Sequence, residues 1–252
     1  MKYFIITGTS RGLGEALVND LVDTENAVFC ISRSKNESLI EKAKVQNTEL
    51  FYYEYDLSDN EGIQALMKDI FSKIDKDKAS AVYLINNAGT VTPIKTIANC
   101  KSDEIIRSIN VNLTAPILLS SEFVKNTNEL AVEKRIINIS SGAGKKPYHG
   151  WSCYCSGKAG LDLFTKSVAV EEAAKDHPVE LMAFAPGIMD TGMQQEIRES
   201  DVENFVQLER FKGFKKDGYL LTPKFVAEKV LDLIQSDKFE QGAVVDIKDY
   251  MD

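Results

Sequence analysis

A serine, a tyrosine and a lysine are spaced in a way that could transfer a proton to a carbonyl oxygen. Ser141 lies thirteen residues before Tyr154, and Lys158 follows Tyr154 by four positions. Residues four apart on a helix share one face, with Cβ atoms roughly 5–6 Å apart. Because an ammonium group favours a neighbouring phenolate, we expect Lys158 to lower the pKa of Tyr154 from its ordinary value of about 10. Tyr154 would then be the proton donor, with Ser141 bonded to the same oxygen. Taken alone, the tyrosine–lysine pair could also be a chance feature of a helix.

The glycine-rich stretch near the N-terminus has the surroundings of a dinucleotide site. It runs from Gly8 to Gly14 as GTSRGLG, after a β-rich run at 2–7 and before a helical pattern. In such a strand–turn–helix unit, Gly8 permits the tight turn, Gly12 lets the backbone approach a pyrophosphate, and Gly14 lets the helix pack closely on the strand. Free N–H groups at the helix N-terminus would bind the phosphates. A plain connecting turn is the alternative interpretation.

Strand and helix patterns alternate along the whole chain. The predicted strands are 2–7, 27–32, 50–55, 81–86, 134–140, 179–185 and 243–247, and the predicted helices are 12–23, 36–46, 59–75, 102–128, 152–176 and 223–236. This alternation predicts an α/β fold: one domain over 1–252, with a doubly wound, Rossmann-type parallel sheet of seven strands and helices on both faces. Its ligand should bind at the carboxyl ends of the strands. The charged segment 192–221 lacks strand signals, and its length and position favour a substrate lid over a plain surface excursion.

The composition excludes several classes of partner. The net charge is −8 and there is no basic stripe, which argues against nucleic acid. No apolar segment approaches the ~20 residues of a membrane span, so we expect no membrane association. The four cysteines form no CxxC pair and no metal-ligand group with the two histidines. We therefore expect no metal site, reduced thiols and a cytoplasmic location.

The residues after the second predicted strand indicate which cofactor binds. The strand leads into Ser32-Arg33-Ser34, with no carboxylate before Glu37. An enzyme that selects NAD usually places an acidic side chain there to bind the ribose 2′-hydroxyl. Arg33, together with Arg11 in the glycine turn, could instead make charge-assisted contacts with a 2′-phosphate. Unless both arginines are ordinary surface charges, the sequence predicts NADP(H).

Seven motifs in one order make the chain resemble the short-chain dehydrogenase/reductase family. They are Thr7–Gly14, Asp56-Leu57, Asn86–Gly89, Asn112, Ser141, Tyr154 with Lys158, and Pro186-Gly187 with Thr191. The resemblance implies the catalytic residues Tyr154, Lys158, Ser141 and Asn112, with Asn110 as the second choice for the asparagine. With the two arginines, it implies cofactor contacts from Gly8, Ser10, Arg11, Gly12, Leu13, Gly14, Arg33, Asp56, Leu57, Asn87, Ala88, Gly89, Tyr154, Lys158, Pro186, Gly187, Ile188, Met189 and Thr191. The expected substrate contacts are Ser141, Tyr154, Trp151, Met193 and Asp246.

The implied reaction is reduction of a carbonyl by hydride from NADPH, with Tyr154 as the acid. Residues 186–195 and 242–246 resemble sepiapterin reductases and bacterial benzil reductases, which reduce ketones with a second oxygen on the adjacent carbon. We therefore expect a small-molecule substrate: an aromatic 1,2-diketone such as benzil, giving a chiral hydroxyketone, or a sepiapterin-like pterin. Asp246 could anchor a pterin, or it could end the last strand as a solvated carboxylate.

Three other functions fit parts of the sequence. A 3-oxoacyl-carrier-protein reductase would benefit from a basic rim, which this acidic chain does not suggest. An NAD-dependent alcohol dehydrogenase would share the same fold. A non-catalytic NADP(H) sensor could lose the serine, tyrosine or lysine without penalty, yet all three are present.

Two predicted helices, 102–128 and 152–176, carry apolar faces. In the family that the chain resembles, these helices pair across a two-fold axis, which implies a homodimer or homotetramer. The expected interface residues are Ile105, Ile109, Leu113, Ile117, Leu161, Phe164 and Val168.

Overall fold

A parallel β-sheet of seven strands forms the centre of the computed structural model, which describes residues 1–22 and 25–251. The strands are β1 (Lys2–Thr7), β2 (Asn26–Ser32), β3 (Glu49–Glu54), β4 (Ala81–Asn86), β5 (Glu133–Ile139), β6 (Glu180–Ala185) and β7 (Val244–Asp246). They lie in the order β3-β2-β1-β4-β5-β6-β7, and each neighbouring pair is parallel. The chain reverses its direction of winding between β1 and β4, where an open α/β sheet leaves a crevice for its ligand. The predicted doubly wound fold is confirmed.

Helices cover both faces of the sheet. In the described part of the chain they are α1 (Gly12–Leu21), α2 (Glu37–Gln46), α3 (Ile63–Ser72), α4 (Ser102–Ile109), α5 (Ala115–Thr127), α6 (Ser152–Glu172), α7 (Gly192–Arg198), α8 (Leu208–Lys216) and α9 (Pro223–Ile234). Because strand side chains alternate, Phe4 and Ile6 pack with α1, α2 and α9, whereas Tyr3 and Ile5 pack with α3 and α5. None of these helices has the length and apolar character that crossing a bilayer requires.

The predicted elements differ from the observed ones mainly at their ends. The predicted helix 12–23 ends at Leu21, and its last position lies outside the described residues. The predicted helix 102–128 contains a π-helical turn, Asn110–Thr114, between α4 and α5. The predicted helix 59–75 begins later because the Asp59 carboxylate accepts a hydrogen bond from the backbone of Glu61 and stabilises a turn there.

Candidate active site

A cleft of about 1110 Å³ opens at the carboxyl ends of the strands. The predicted site residues that line it are Gly8, Ser10, Arg11, Gly12, Leu13, Arg33, Asp56, Leu57, Asn87, Ala88, Gly89, Ser141, Trp151, Tyr154, Lys158, Pro186, Gly187, Ile188, Met189, Thr191, Met193 and Asp246. Gly14 and Asn112 lie outside this lining. A Cβ on Gly14 would stand 2.2 Å from the carbonyl oxygen of Gly8, so α1 packs on the glycine turn as closely as predicted. The structure therefore gathers residues that are far apart in sequence into one cleft.

The turns after β1 and β4 are tied together at the base of the cleft. The side-chain amide of Asn87 donates to the carbonyl oxygens of Thr7, at 2.8 Å, and Gly8, at 3.3 Å. The Thr7 hydroxyl accepts from the backbone N–H groups of Asn87 and Ala88, both at 2.9 Å. These bonds hold the glycine turn in place from below, which leaves its upper side open to a ligand.

Ser141, Tyr154 and Lys158 meet on one wall of the cleft. Ser141 follows β5, where its hydroxyl accepts a 3.1 Å hydrogen bond from the backbone of Ala143, and it lies near the hydroxyl of Tyr154. Tyr154 and Lys158 lie one turn apart on α6, with the Lys158 Nζ 5.9 Å from the centre of the tyrosine ring. The same Nζ donates a 2.7 Å hydrogen bond to the carbonyl oxygen of Ile139. The end of β5 therefore positions both the serine and the lysine.

Burial shifts the pKa values of both Tyr154 and Lys158. It raises the pKa of Tyr154, and the hydrogen bond with Ser141 only partly opposes the rise. Burial lowers the pKa of Lys158 to about 8, against an opposing effect from Asp162. The pKa of Tyr154 is therefore raised in this structure and not lowered as expected, because desolvation of the phenolate is the largest effect on it. Tyr154 is a protonated phenol at neutral pH, which is the form that can donate a proton.

The π-helical turn separates the two candidate asparagines. The buried side chain of Asn112 donates to the carbonyl oxygens of Thr90, at 2.8 Å, and Ser108, at 3.0 Å. Asn110 turns away and donates to the carbonyl oxygen of Ser58 at 3.0 Å. A Cβ on Gly89 would lie 3.2 Å from the Asn112 Oδ1 and 3.6 Å from the lysine Nζ. Asn112 is therefore the asparagine beside the lysine, and π turns of this kind often occur at functional sites.

The two predicted phosphate-binding arginines differ in their surroundings. Arg33 is exposed at the end of β2, and in the described parts of the chain no carboxylate lies within ion-pair distance of it. The Arg11 guanidinium is 3.2 Å from the carboxylate of Glu196 on α7. Glu196 had no sequence signal, because its contact with Arg11 joins positions 185 residues apart.

Asp56 lies at the end of the cleft next to β3. Its carboxylate accepts hydrogen bonds from the backbone and hydroxyl of Ser58 and from Arg107, which is 2.9 Å away. Although partial burial opposes the effect, these bonds hold the pKa of Asp56 below its ordinary range. Asp56 is therefore an ionised, positioned carboxylate, and Leu57 beside it is buried.

Aromatic side chains surround Tyr154 at the other end of the cleft. We call Tyr148, Trp151, Phe205, Phe211 and Phe214 the aromatic cluster. The Trp151 ring lies 5.5 Å from that of Tyr154 and stacks on Phe205 at 4.8 Å. Met193 packs against the cluster. Tyr148 and Phe214 were not predicted, although the spacing of Phe211 and Phe214 on α8 places them on one face.

The segment 192–221 supplies one side of this aromatic end through α7 and α8. Its far end returns to the chain after β6, where Leu221 donates to the carbonyl oxygen of Ile188 at 2.9 Å and accepts from Asp190 at 3.0 Å. On the opposite side, Asp246 accepts a 3.1 Å hydrogen bond from the backbone of Lys248 and caps the short helix 247–250. The segment 192–221 and the short helix 247–250 are therefore both held by hydrogen bonds at the mouth of the cleft.

Comparisons with known proteins agree with this geometry. A family model described as short chain dehydrogenase matches residues 2–202. The chain belongs to the short-chain dehydrogenase/reductase family. As a member it is an oxidoreductase that acts on C=O or CH–OH groups.

Relatives of this short-chain dehydrogenase/reductase match it over nearly its full length. A benzil reductase ((S)-benzoin forming) of Bacillus cereus is 46% identical, with 98% of this chain and 99% of the relative covered. The sepiapterin reductase of Rattus norvegicus is 30% identical, with 97% and 95% covered. The crystal structure of the KRED1-Pglu enzyme superposes with a TM-score of 0.83, at 29% identity, over 97% of this chain and 100% of that one. The structure of ElxO with NADP bound gives 0.79, at 25% identity, over 98% and 96%.

A buried carboxylate behind the wall formed by Ser141, Tyr154 and Lys158 was not predicted. Asp162 lies one turn after Lys158 on α6 and accepts a hydrogen bond from the hydroxyl of Ser140. Burial raises the pKa of Asp162, while Ser140, Lys158, Lys145 and Lys166 oppose the rise. Asp162 therefore connects the end of β5 to α6 and supports the charged form of Lys158.

We predict that Asp162→Asn narrows the pH range of activity. Loss of the carboxylate should lower the pKa of Lys158, which is about 8 in the intact protein. The lysine would then lose its proton at a lower pH, so the alkaline limb of the kcat/KM profile should move towards neutrality. The profile of Asp232→Asn, an exposed acid on α9, is the control. An alkaline limb at the same pH in both variants would show that Asp162 does not support the lysine charge.

Proposed function

We propose that the protein is an NADPH-dependent carbonyl reductase that acts on ketones with a vicinal oxygen, such as aromatic 1,2-diketones. The observation that carries this proposal is that four members of the aromatic cluster line the same cleft as Tyr154, Lys158 and Ser141, with the Trp151 ring 5.5 Å from that of Tyr154. These four are Tyr148, Trp151, Phe211 and Phe214, whereas Phe205 is buried behind them. The printed activities of the relatives, benzil reductase and sepiapterin reductase, support the same substrate class.

The cleft fits a nicotinamide dinucleotide phosphate. The open glycine turn at the N-terminus of α1 suits a pyrophosphate, and the exposed guanidinium of Arg33 suits the 2′-phosphate. ElxO, one of the structures with this fold, is described with NADP bound. The cofactor supplies the hydride. Arg33 and Arg11 bind the phosphate end, and the segment from Pro186 to Thr191 orients the other end in the cleft.

Each residue of the catalytic wall then has a separate task. Tyr154 gives its proton to the carbonyl oxygen as the carbon is reduced, and general acid catalysis of this kind contributes about 10²–10⁴-fold. Ser141 hydrogen-bonds the same oxygen. Lys158 holds positive charge behind the phenol, which favours the loss of its proton, and Asn112 fixes the backbone beside the lysine.

The aromatic end of the cleft orients the substrate. A second carbonyl withdraws electrons from the first, so a 1,2-diketone is the better hydride acceptor in any protein. We propose that the lid segment 192–221 and the aromatic cluster hold its aryl groups so that only one carbonyl faces Tyr154. One alcohol enantiomer should then dominate. The Asp246 carboxylate accepts a hydrogen bond from the backbone N–H of Lys248, so a pterin that binds this carboxylate would have to share it with that N–H.

We predict that Tyr154→Phe lowers kcat with benzil by about 10²–10⁴-fold, the range expected for loss of a general acid. Binding of NADPH, measured by fluorescence titration, should change little. Tyr219→Phe, which alters an exposed tyrosine of the same cleft, is the matched control. Retention of more than about a tenth of the wild-type kcat would rule out Tyr154 as the proton donor.

Chiral chromatography of the hydroxyketone tests the proposed orientation of the substrate, since a racemic product would contradict it.

We predict that Arg33→Ala raises KM for NADPH by about 10- to 100-fold, because one charge-assisted contact is worth roughly 1.5–3 kcal/mol. KM for NADH should change little, since NADH has no 2′-phosphate. The control is Lys35→Ala, because the Lys35 ammonium lies 3.5 Å from Glu54. Equal increases in KM for NADPH and NADH would show that Arg33 does not bind the 2′-phosphate.

We also propose a homodimer or homotetramer that forms through α4 and α6. Ile106, Leu163 and Val170 on these helices are 59%, 66% and 75% exposed, which is high for apolar side chains. Leu161 is fully buried in the subunit, so the expectation that it lies in the interface is wrong. Sedimentation velocity at micromolar concentration should show an assembly that Leu163→Asp dissociates, and a monomeric wild type would contradict the proposal.

The cytoplasmic location is proposed from the cysteine content, and cell fractionation tests it.

A further inference from the structure

Basic side chains collect at the aromatic end of the cleft, although the chain as a whole has a net charge of −8. The cleft lining there includes Lys145, Lys146, Arg210 and Lys248, which we call the rim cations. They come from three parts of the chain: the loop after Ser141, α8, and the short helix after β7. The fold therefore brings cations from three segments to the lining of one cleft.

The rim cations differ from the other cations of the cleft in their acidic neighbours. Lys145 is near enough to the buried carboxylate of Asp162 to oppose the rise in its pKa. In the described parts of the chain, none of the rim cations makes an ion pair, whereas the cofactor-end carboxylates Asp56 and Glu196 pair with Arg107 and Arg11. The carboxylate of Asp246, also at the mouth, is bonded to backbone. The aromatic end therefore keeps an excess of positive charge, and it is separate from the arginines proposed for the cofactor phosphates.

Two of the rim cations are held in place by the aromatic cluster. The Lys146 Nζ lies 5.5 Å from the ring centre of Tyr148, and the Arg210 guanidinium lies 5.4 Å from that of Phe214. Such cation–π contacts favour one position of a long side chain without neutralising its charge. Positive charge is thus fixed next to the surface that would contact an aryl group.

We infer that the preferred substrate carries an anionic group, such as a carboxylate on its aryl ring, that the rim cations attract. This rests on the proposed function and narrows its substrate class to anionic aromatic dicarbonyls. The chemistry is unchanged: the carbonyl carbon gains a hydride as NADPH becomes NADP⁺, and the oxygen gains the proton of Tyr154. Unpaired charge around a cleft concentrates ligands of opposite sign, which raises association rates by about 10–10³-fold and is weakened by salt.

The test compares 4-carboxybenzil with neutral benzil in steady-state assays of the full chain. At low ionic strength, kcat/KM for the carboxylated substrate should exceed that for benzil by about tenfold or more, and the ratio should fall towards one as salt approaches ~1 M, where the screening length is about 3 Å. The double variant Lys146→Gln/Arg210→Gln should lower the ratio by about three- to tenfold. Lys216→Gln, an exposed cation of α8 outside the cleft, should not.

Each other outcome overturns a specific statement. A ratio near one, or a ratio that neither salt nor the double variant changes, would refute the anionic substrate while leaving the carbonyl reductase in place. If neither diketone is reduced, the proposed function fails and this inference fails with it. Faster reduction of an acetoacetyl-acyl carrier protein, lost in the double variant, would replace the small anion with an acidic protein as the occupant of the rim.

Discussion

The desolvation of one lysine is the constraint on which the rest of the site depends. The Lys158 ammonium is enclosed at the carboxyl end of β5 and donates to the Ile139 carbonyl oxygen, and burial lowers its pKa to about 8. An enclosed charge is tolerated only when polar groups surround it. Asp162, the Ile139 carbonyl and the adjoining asparagine of the π turn meet this requirement. The support for the lysine therefore also fixes the loop of Ser141 and helix α6.

The same desolvation keeps Tyr154 in the form that can donate a proton. A buried phenolate is costly, so the pKa of Tyr154 is raised and the phenol keeps its proton until a developing oxyanion removes it. The aromatic cluster contributes to this effect, because Trp151 covers one side of the ring at 5.5 Å. Trp151, which would contact a substrate aryl group, is thus also one of the side chains that bury Tyr154.

Charge is distributed unevenly along the cleft. At the cofactor end, Arg107 and Arg11 are paired with carboxylates, whereas Arg33 at the end of β2 makes no ion pair with any residue that the structure describes. At the aromatic end, none of the rim cations makes an ion pair within residues 1–22 and 25–251, and the Asp246 carboxylate there is bonded to backbone. A chain of net charge −8 therefore presents two positively charged regions, one at each end of its cleft.

The local sequence pattern by itself determined the sheet and the position of the cleft. The strand–turn–helix at 2–21, the alternation of elements, and the spacing of Ser141, Tyr154 and Lys158 predicted the sheet and the cleft, because these features depend on neighbours in sequence. Only the tertiary structure decided the direction of the tyrosine pKa, the Arg11–Glu196 pair, the support from Asp162 and the gathering of the rim cations. Burial and contacts between distant segments arise when the elements pack, and no local periodicity encodes them.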